Sequence, residues 1–338
     1  MFNNLTFQNF SGINEMATLC GKLFRTVYIK LKGRMMTATQ LITSNDPSGQ
    51  HAVAKFCVAY NKMGFNPEAA QRLNESGEFW QSLKTLMGQH SVSNQFASEE
   101  VPSNHTYPEE YDGLKPIGEQ VDLIAKALNL SLGYTSEWVE KVMPTISLPD
   151  GAEGWCAVPS VNAVARRHFP EITDPRRKYC LALKMIIGIL EKSRRFYNYS
   201  RCDGVEMTEY NLRQHDRTLY ALDIITETQK GDILIIPVQY GMRHRGQSVR
   251  RARECFTANE FGFNALHVGC LAFTHPERYV RQDQLTAGCP GDEFDLNGHN
   301  DFSASSGFSF DGHGLAFSTC VASHTNQLSG SVSGFIPQ

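Results

Sequence analysis

The most concentrated chemical signal in this sequence is a run of arginines that follows a short apolar segment. Five arginines fall within residues 243–253, after the apolar residues 233–238 and a loop bounded by glycines. The guanidinium group offers a planar fork of N–H donors that matches the geometry of a phosphate. We therefore predict that this loop and the helix after it bind a phosphate-bearing ligand or nucleic acid, through Arg243, Arg245, Arg250 and Arg253.

The distribution of charge along the chain allows a second interpretation of these arginines. The formal net charge is −3, but residues 166–253 carry an excess of Lys and Arg, and no Lys or Arg follows Arg281. The residues after Arg281 are acidic and rich in Gly and Ser. If that segment folds back onto the basic one, the arginines pair inside the protein and need no external anion. Both interpretations stay open.

A thiol and two histidines are the candidates for catalysis. Cys156 precedes a short helix that is predicted to begin at Ser160, and a helix N-terminus lowers the pKa of a nearby thiol. The base would come from a distant histidine, for which His244 and His275 are candidates. A cysteine between Trp and Ala is more often a packed core residue. If the catalytic interpretation holds instead, the alternative function is a hydrolase with a Cys/His or metal-dependent site.

Spacing and composition exclude several other classes of protein. No histidine pair has metal-ligand spacing, so we predict neither a metal site nor a cofactor. The 338 residues are 41% hydrophobic and 20% charged, which is typical of a globular chain of one or two domains. The nine cysteines are widely spaced, which favours buried thiols in a reducing compartment over a disulfide framework.

Neither a secretory leader nor a membrane helix is expected. The N-terminus lacks a positive region followed by an apolar core, and the longest apolar runs are far shorter than the ~20 residues that span a bilayer. We expect a cytoplasmic protein with no membrane contact. The oligomeric state is left open.

The elements that would position these residues follow from capping signals and apolar spacing. Alternating residues predict a strand over 23–31. Asn66 and Asp174 each precede a proline, and this pairing predicts a helix N-cap with Pro at the first helical position. The helix after Asp174 extends to Arg195, and a second long helix is predicted from Thr208 to Gly231.

The C-terminal half is predicted to alternate strands with short helices. Residues 233–238 predict a buried strand in which Pro237 marks an edge or an end. A short helix is predicted over 248–255, and a strand over 265–273 that would carry His267 as a core histidine. Residues 308–317 predict a hairpin. The fold class is α+β with mixed helices and short strands, and an irregular α/β arrangement is the variant left open.

Composition also predicts the domain organisation. Between Lys84 and Lys115 the chain has no Lys or Arg, and it carries acids among Ser, Asn and Pro. We predict an N-terminal α+β region over 1–90, an acidic connector over 91–115 and a main α+β domain over 116–338. The last of these ends in a Gly/Ser-rich β segment.

Several runs in the second half resemble a group of bacterial sequences. The runs are residues 231–237, 243–254, 259–262, 274–278 and 291–293, and residues 331–338 fit the same group. They are similar to a set of uncharacterised proteins from small-genome, candidate-phylum bacteria. The resemblance covers about residues 151–338. It implies a bacterial, soluble protein and brings no fold, activity, cofactor or site residue with it.

Overall fold

The structure is a computed structural model that describes residues 47–90, 95–199 and 207–337, with the strand predicted over 23–31 outside them. It divides into two compact units, Met1–Lys84 and Thr85–Gln338. The first unit begins with helices α1 (Pro47–Lys62) and α2 (Pro67–Glu75), and helix α3 (Gly77–His90) runs across the boundary. The predicted cap of α2 is confirmed, because Asn66 Oδ1 accepts from the Ala69 amide at 2.8 Å.

The helices of the second unit confirm one long prediction and correct another. They are α4 (Ile117–Leu128), α5 (Gly133–Lys141), α6 (Val161–His168), α7 (Pro175–Ser193), α8 (Asp216–Gln229), α9 (Val249–Cys255) and α10 (Ala265–Thr274). Asp174 caps α7 as predicted, accepting from the Arg177 amide at 2.8 Å. The helix predicted from Thr208 begins only at Asp216. Thr208 instead forms a turn, in which its amide donates to Asn211 Oδ1 at 2.8 Å.

Two sheets complete the second unit. The four-stranded sheet has the order β1 (Gly154–Pro159), β4 (Ile233–Gln239), β9 (Ser333–Phe335), β5 (Glu260–Gly262), and its pairs are antiparallel. The five-stranded sheet has the order β2 (Phe196–Asn198), β8 (Leu315–Val321), β7 (Ala304–Phe310), β6 (Ala287–Phe294), β3 (Leu212–Gln214). In it β2 and β8 run parallel and the other pairs are antiparallel. The predicted α+β class is confirmed.

Helix α10 corrects the strand predicted over 265–273. A short continuous apolar run fits a buried strand and a buried helix equally well. Asn264 decides between them, because its Oδ1 accepts from the His267 amide at 3.0 Å and so caps a helix. The helix contacts α7 as well as strands of both sheets, and a Cβ added at Gly269 would meet Ile186 of α7 at 3.1 Å. His267 therefore lies on a central helix, where burial lowers its pKa to about 3.

The other C-terminal predictions are confirmed. Strand β4 is buried along its whole length, and β9 pairs with it only at Val238 and Gln239. Pro237 therefore lies where β4 has β1 as its one partner, and its missing N–H breaks no ladder with β9. The hairpin is β7 and β8, and its turn is held by Asp311, whose carboxylate accepts from the amides of His313 and Gly314. Within the described ranges, no helix has both the length and the apolar character to cross a bilayer.

Candidate functional site

One face of the five-stranded sheet carries a cleft whose lining is mainly apolar, with hydroxyl and amide groups set into it. Gly288, Gly307 and Ser318 lie directly opposite one another on β6, β7 and β8. Opposed residues of antiparallel strands project to the same face. These three positions therefore form a row on one face, in which the two glycines have no side chain and the serine has a short one. The row forms a trough across three strands, within a cleft of about 140 Å³.

The walls of the cleft come from three parts of the chain. Ser309 and Cys320 belong to the sheet, Gln247 and Val249 to the start of α9, and the loop 324–331 closes the remaining side. None of the fifteen lining residues is Lys, Arg, Asp or Glu, and His324 is the one histidine among them. The polar groups are hydroxyls, amides, the imidazole of His324 and the thiol of Cys320, each of which can be satisfied by a neutral ligand.

The loop 324–331 is fixed before any ligand arrives. Asn326 Oδ1 accepts from the Leu328 amide at 2.8 Å, and its Nδ2 lies 3.3 Å from His324 Nε2. Backbone bonds join the loop to its surroundings, from the Thr286 amide to Leu328 and from the Gly246 amide to Ser329, at 2.8 and 2.7 Å. A wall held in this way loses little conformational entropy when a ligand binds.

A buried acid and a histidine hold Gln247 at the edge of the cleft. Glu260 Oε1 accepts from Ser333 Oγ at 2.5 Å and lies 2.7 Å from His244 Nε2. The other ring nitrogen, His244 Nδ1, lies 3.0 Å from Gln247 Oε1. Each ring nitrogen of His244 therefore faces one side-chain oxygen. The chain of contacts leads from a carboxylate that is 1% exposed to an amide that lines the cleft.

Electrostatics around Glu260 favour its charged form. Burial raises the pKa of Glu260, but hydrogen bonds from His244 and Ser333 and the charge of Arg243 lower it by more, so the pKa lies below its ordinary value. Arg243 Nε is 3.4 Å from Glu260 Oε2. This carboxylate is therefore ionised at neutral pH and anchors the histidine and the arginine together.

The four predicted ligand-binding arginines have different partners. Arg250 forms a bidentate ion pair with Glu99 and lies over the ring of Phe96, 4.4 Å from its centroid. Arg253 donates from Nε to the Pro290 carbonyl at 2.8 Å and from Nη2 to the Asp292 carbonyl, and burial lowers its pKa to about 10.

The remaining two predicted ligands, Arg243 and Arg245, are exposed. The structure thus does not gather the four guanidinium groups around one point. The acids that meet the neighbouring Arg251 are Glu100, at 3.3 Å, and Glu254, at 2.9 Å. Glu99 and Glu100 belong to the segment in which the acidic connector was predicted, whereas the segment after Arg281 offers Arg253 two backbone carbonyls.

The three predicted catalytic residues occupy separate surroundings. Cys156 lies in β1 opposite Ile236 with no exposed surface, and burial raises its pKa well above the ordinary value. His275 follows α10, where its Nε2 accepts from the Lys115 amide at 2.9 Å and burial lowers its pKa to about 4. His244 contacts Glu260 and Gln247 instead. In the part of the chain that the structure describes, no group of three or more His, Cys, Asp or Glu residues is placed to hold a metal ion.

Several residues of the cleft, and of the buried group that holds Gln247, were not singled out by the sequence. Glu260 stands in a short run, Ser333 lies far along the chain, and Gly288 and Gly307 are two glycines among 27. The available signal was the repeated small residues of 303–309, which mark a strand with little to pack on one face. The register that brings Gly288, Gly307 and Ser318 into one row is a property of strand pairing.

Comparison with protein-family models, with curated proteins and with solved structures gives no match for this chain. The fold and the cleft define the class: an α+β protein with a preformed cleft on a sheet face, whose mainly apolar lining carries hydroxyls and amides and no Lys, Arg, Asp or Glu. Because a fold does not determine a function, the chemistry of the cleft is what indicates one.

Proposed function

We propose that this protein binds a small, uncharged ligand that carries several hydroxyl or amide groups, in the cleft on β6, β7 and β8. The observation that carries the proposal is the open row of Gly288, Gly307 and Ser318 beside a glutamine that buried groups hold in place. Hydroxyls and amides both donate and accept, which suits a ligand with the same two capacities. The volume is well below the ~300–1,000 Å³ of drug-sized pockets, so the ligand is small.

The experiment is a binding panel with a variant that fills the trough. Glucose, inositol and acetamide serve as neutral probes, with inorganic phosphate as the anionic one, and isothermal titration calorimetry measures affinity. A Cβ added at Gly307 meets the Ala287 carbonyl oxygen at 3.5 Å, an ordinary contact, so Gly307→Ala should fold. We expect at least one neutral probe to bind and Gly307→Ala to weaken it tenfold or more.

The control is a glycine outside the cleft. Gly188 lies on α7, and a Cβ there meets nothing within 4 Å, so Gly188→Ala should leave binding unchanged. The proposal fails if no neutral probe binds, or if Gly307→Ala and Gln247→Ala both bind as tightly as the original chain.

A second candidate is the phosphate-bearing ligand or nucleic acid predicted from the arginine run. The exposure of Arg243 and Arg245 favours it. Phosphate contacts make log affinity fall linearly with log salt, so single-stranded DNA binding over a salt series measures this function. Arg245→Glu should abolish such binding. DNA affinity that is absent at low salt would remove this candidate and leave the first one standing.

We also propose a reducing, cytoplasmic location in a bacterial cell. The buried free thiols of Cys156, Cys180, Cys270 and Cys289 support the reducing compartment. The bacterial source rests on the resemblance of residues 151–338. Alkylation of freshly lysed cells followed by mass measurement should find these thiols reduced, and a disulfide among them would contradict the location.

A further inference from the structure

Arg278 is a buried cation surrounded by tyrosine rings. It is 1% exposed, at the end of the short turn that follows α10. Its Cζ atom lies 4.4 Å from the ring centroid of Tyr107 and 5.2 Å from those of Tyr240 and Tyr279. Cation–π contacts of this kind offset part of the cost of burying the charge. We call Arg278, Tyr107, Tyr111, Tyr240 and Tyr279 the Arg278 cage.

The cage has more hydrogen-bond donors than acceptors. Among the described residues, Arg278 Nε and the Tyr111 hydroxyl have no hydrogen-bond partner, although both are buried. At most one of the hydroxyls of Tyr240 and Tyr279 can donate to the other, so at least one of their protons also has no acceptor. Leaving a buried donor unsatisfied costs about 1–3 kcal/mol, and more when the group is charged.

The rings form one continuous cluster. The Tyr111 ring centroid lies 5.2 Å from that of Tyr107 and 5.9 Å from that of Tyr240, and the centroids of Tyr240 and Tyr279 are 6.1 Å apart. Burial raises the pKa of Tyr111 and Tyr240, and that of Tyr279 to about 12, while the charge of Arg278 acts on all three. The hydroxyls therefore stay protonated, as donors, at neutral pH.

The acids that act on this cluster, Glu153 and Glu277, both have partners, and that of Glu277 is Lys115, whose Nζ lies 3.5 Å from Glu277 Oε2. Glu153 accepts from the Tyr107 hydroxyl at 2.6 Å, and that hydroxyl accepts in turn from the Met242 amide at 3.1 Å. The nearby Arg194 adds a second cation, which donates to the carbonyls of Pro276 and Tyr279. A buried charge is stable when it is paired and hydrogen-bonded, and Arg278 Nε offers a donor for which the protein supplies no acceptor.

We propose that the Arg278 cage binds a small inorganic anion, of the size and chemistry of chloride, through Arg278 Nε and the tyrosine hydroxyls. A halide is spherical and accepts hydrogen bonds from every direction. It can therefore accept from Arg278 Nε and from tyrosine hydroxyls whose directions a planar carboxylate would not match. The anion also adds a negative charge beside the buried guanidinium, where Glu153 already acts electrostatically but its carboxylate is hydrogen-bonded to Tyr107. The site goes beyond the proposed function, because the cage shares no residue with the lining of the cleft.

The test compares thermal unfolding in sodium chloride with unfolding in sodium gluconate at equal ionic strength. An anion that binds the folded state stabilises it by RT ln(1 + [L]/Kd), so the melting temperature begins to rise near Kd and then increases with the logarithm of the chloride concentration. We expect chloride to raise the midpoint over gluconate, and Tyr111→Phe to weaken the chloride affinity at least fivefold. Tyr134→Phe is the matched control, because Tyr134 is 64% exposed and outside the cage.

A second measurement keeps the proposal testable if a cage variant unfolds. Crystals soaked in sodium bromide should show an anomalous peak within hydrogen-bond distance of Arg278 Nε. Equal melting temperatures in chloride and gluconate would overturn the proposal. Density of an ordered water at that position, without a bromide peak, would do the same, and neither result would bear on the cleft.

Discussion

The arginine segment 243–253 and the cleft have Gln247 in common, yet they use polar groups in opposite ways. In the segment, Arg250 donates to a carboxylate and Arg253 donates to backbone carbonyls of the same chain. In the cleft, uncharged hydroxyls and amides line an open trough. The comparison teaches that the charges that stand out in the sequence hold segments of the chain together, while the open chemistry lies among small neutral residues.

The two regions meet at His244. Glu260 and His244 lie on the arginine side, buried and in contact with each other, and the His244 ring holds Gln247 at the edge of the cleft. We therefore interpret the charged region, residues 243–260, as the support that holds the cleft in place, and the neutral cleft as the binding site. The expected effects on stability should therefore be large in the support and small in the site.

Loss of the Glu260 carboxylate should have the largest effect. In Glu260→Ala the His244 ring and the Ser333 hydroxyl lose their acceptor, and breaking a buried charged pair costs about 3–5 kcal/mol. Urea unfolding measures the free energy of unfolding. Glu100→Ala is the control, because that carboxylate is 44% exposed and should cost below about 1 kcal/mol. An equal, small loss in the free energy of unfolding for both variants would contradict the supporting role of Glu260.

A buried acid on the arginine side should make stability depend on pH. Burial raises the pKa of Asp292 to about 7, against the lowering effect of hydrogen bonds from Tyr179 and the Ala265 amide. The folded pKa lies above the unfolded value of 3.8, so the folded state binds more protons between these pH values. The stabilisation is full below about pH 4 and is lost as pH rises to about 7, by up to about 4 kcal/mol.

Asp292→Asn isolates that dependence. The difference in free energy of unfolding between the original chain and the variant, measured in urea from pH 4 to pH 8, should change steadily up to about pH 7 and then level off. A difference that is flat across this range would show that Asp292 titrates at its ordinary pKa.

Two arginines of the same run, Arg253 and Arg245, should differ in how much they contribute to the free energy of unfolding. Arg253→Met removes the hydrogen bonds that the guanidinium donates to the carbonyls of Pro290 and Asp292, which should cost about 1–3 kcal/mol. Arg245→Met changes an exposed side chain and should stay within about 0.5 kcal/mol. Thermal unfolding of the two variants side by side sharpens the comparison, and a reversed order would refute the support role of Arg253.

The Arg250 ion pair should also contribute little to stability. Arg250 is 42% exposed, so its pair with Glu99 should contribute about 0.2–1 kcal/mol, less at high salt. A double-mutant cycle with Arg250→Ala and Glu99→Ala at low and high salt measures it. A coupling that does not weaken in high salt would mean that the pair acts as a buried one.

Local signals predicted the elements, and long-range contacts escaped prediction. Asn66 and Asp174 cap their helices through side chains three residues away, so a short window of sequence contains the cause. The periodicity of the apolar run 265–273 does not distinguish a helix from a strand. The residue that does is Asn264, which caps the helix. Thr208 also looked like a helix start, but its partner Asn211 makes a turn there.

The candidate site depends on contacts that no window of sequence contains. The arginine run was visible at once, while its acids, Glu99 and Glu100, lie about 150 residues earlier. The row of Gly288, Gly307 and Ser318 exists because three strands pair in one register, and a shift of one residue would turn each side chain to the other face. Composition could indicate small residues but could not align them.

The most direct test of the central claim is to map where a neutral ligand perturbs the protein. Amide chemical shifts recorded during a titration with inositol or glucose report the residues that contact the probe. We predict that the changes concentrate at Gly288, Gly307, Ser318 and Gln247, and that Gly307→Ala removes them. Changes centred on Arg243 and Arg245, or no saturable change with either probe, would contradict the assignment of the cleft as the binding site.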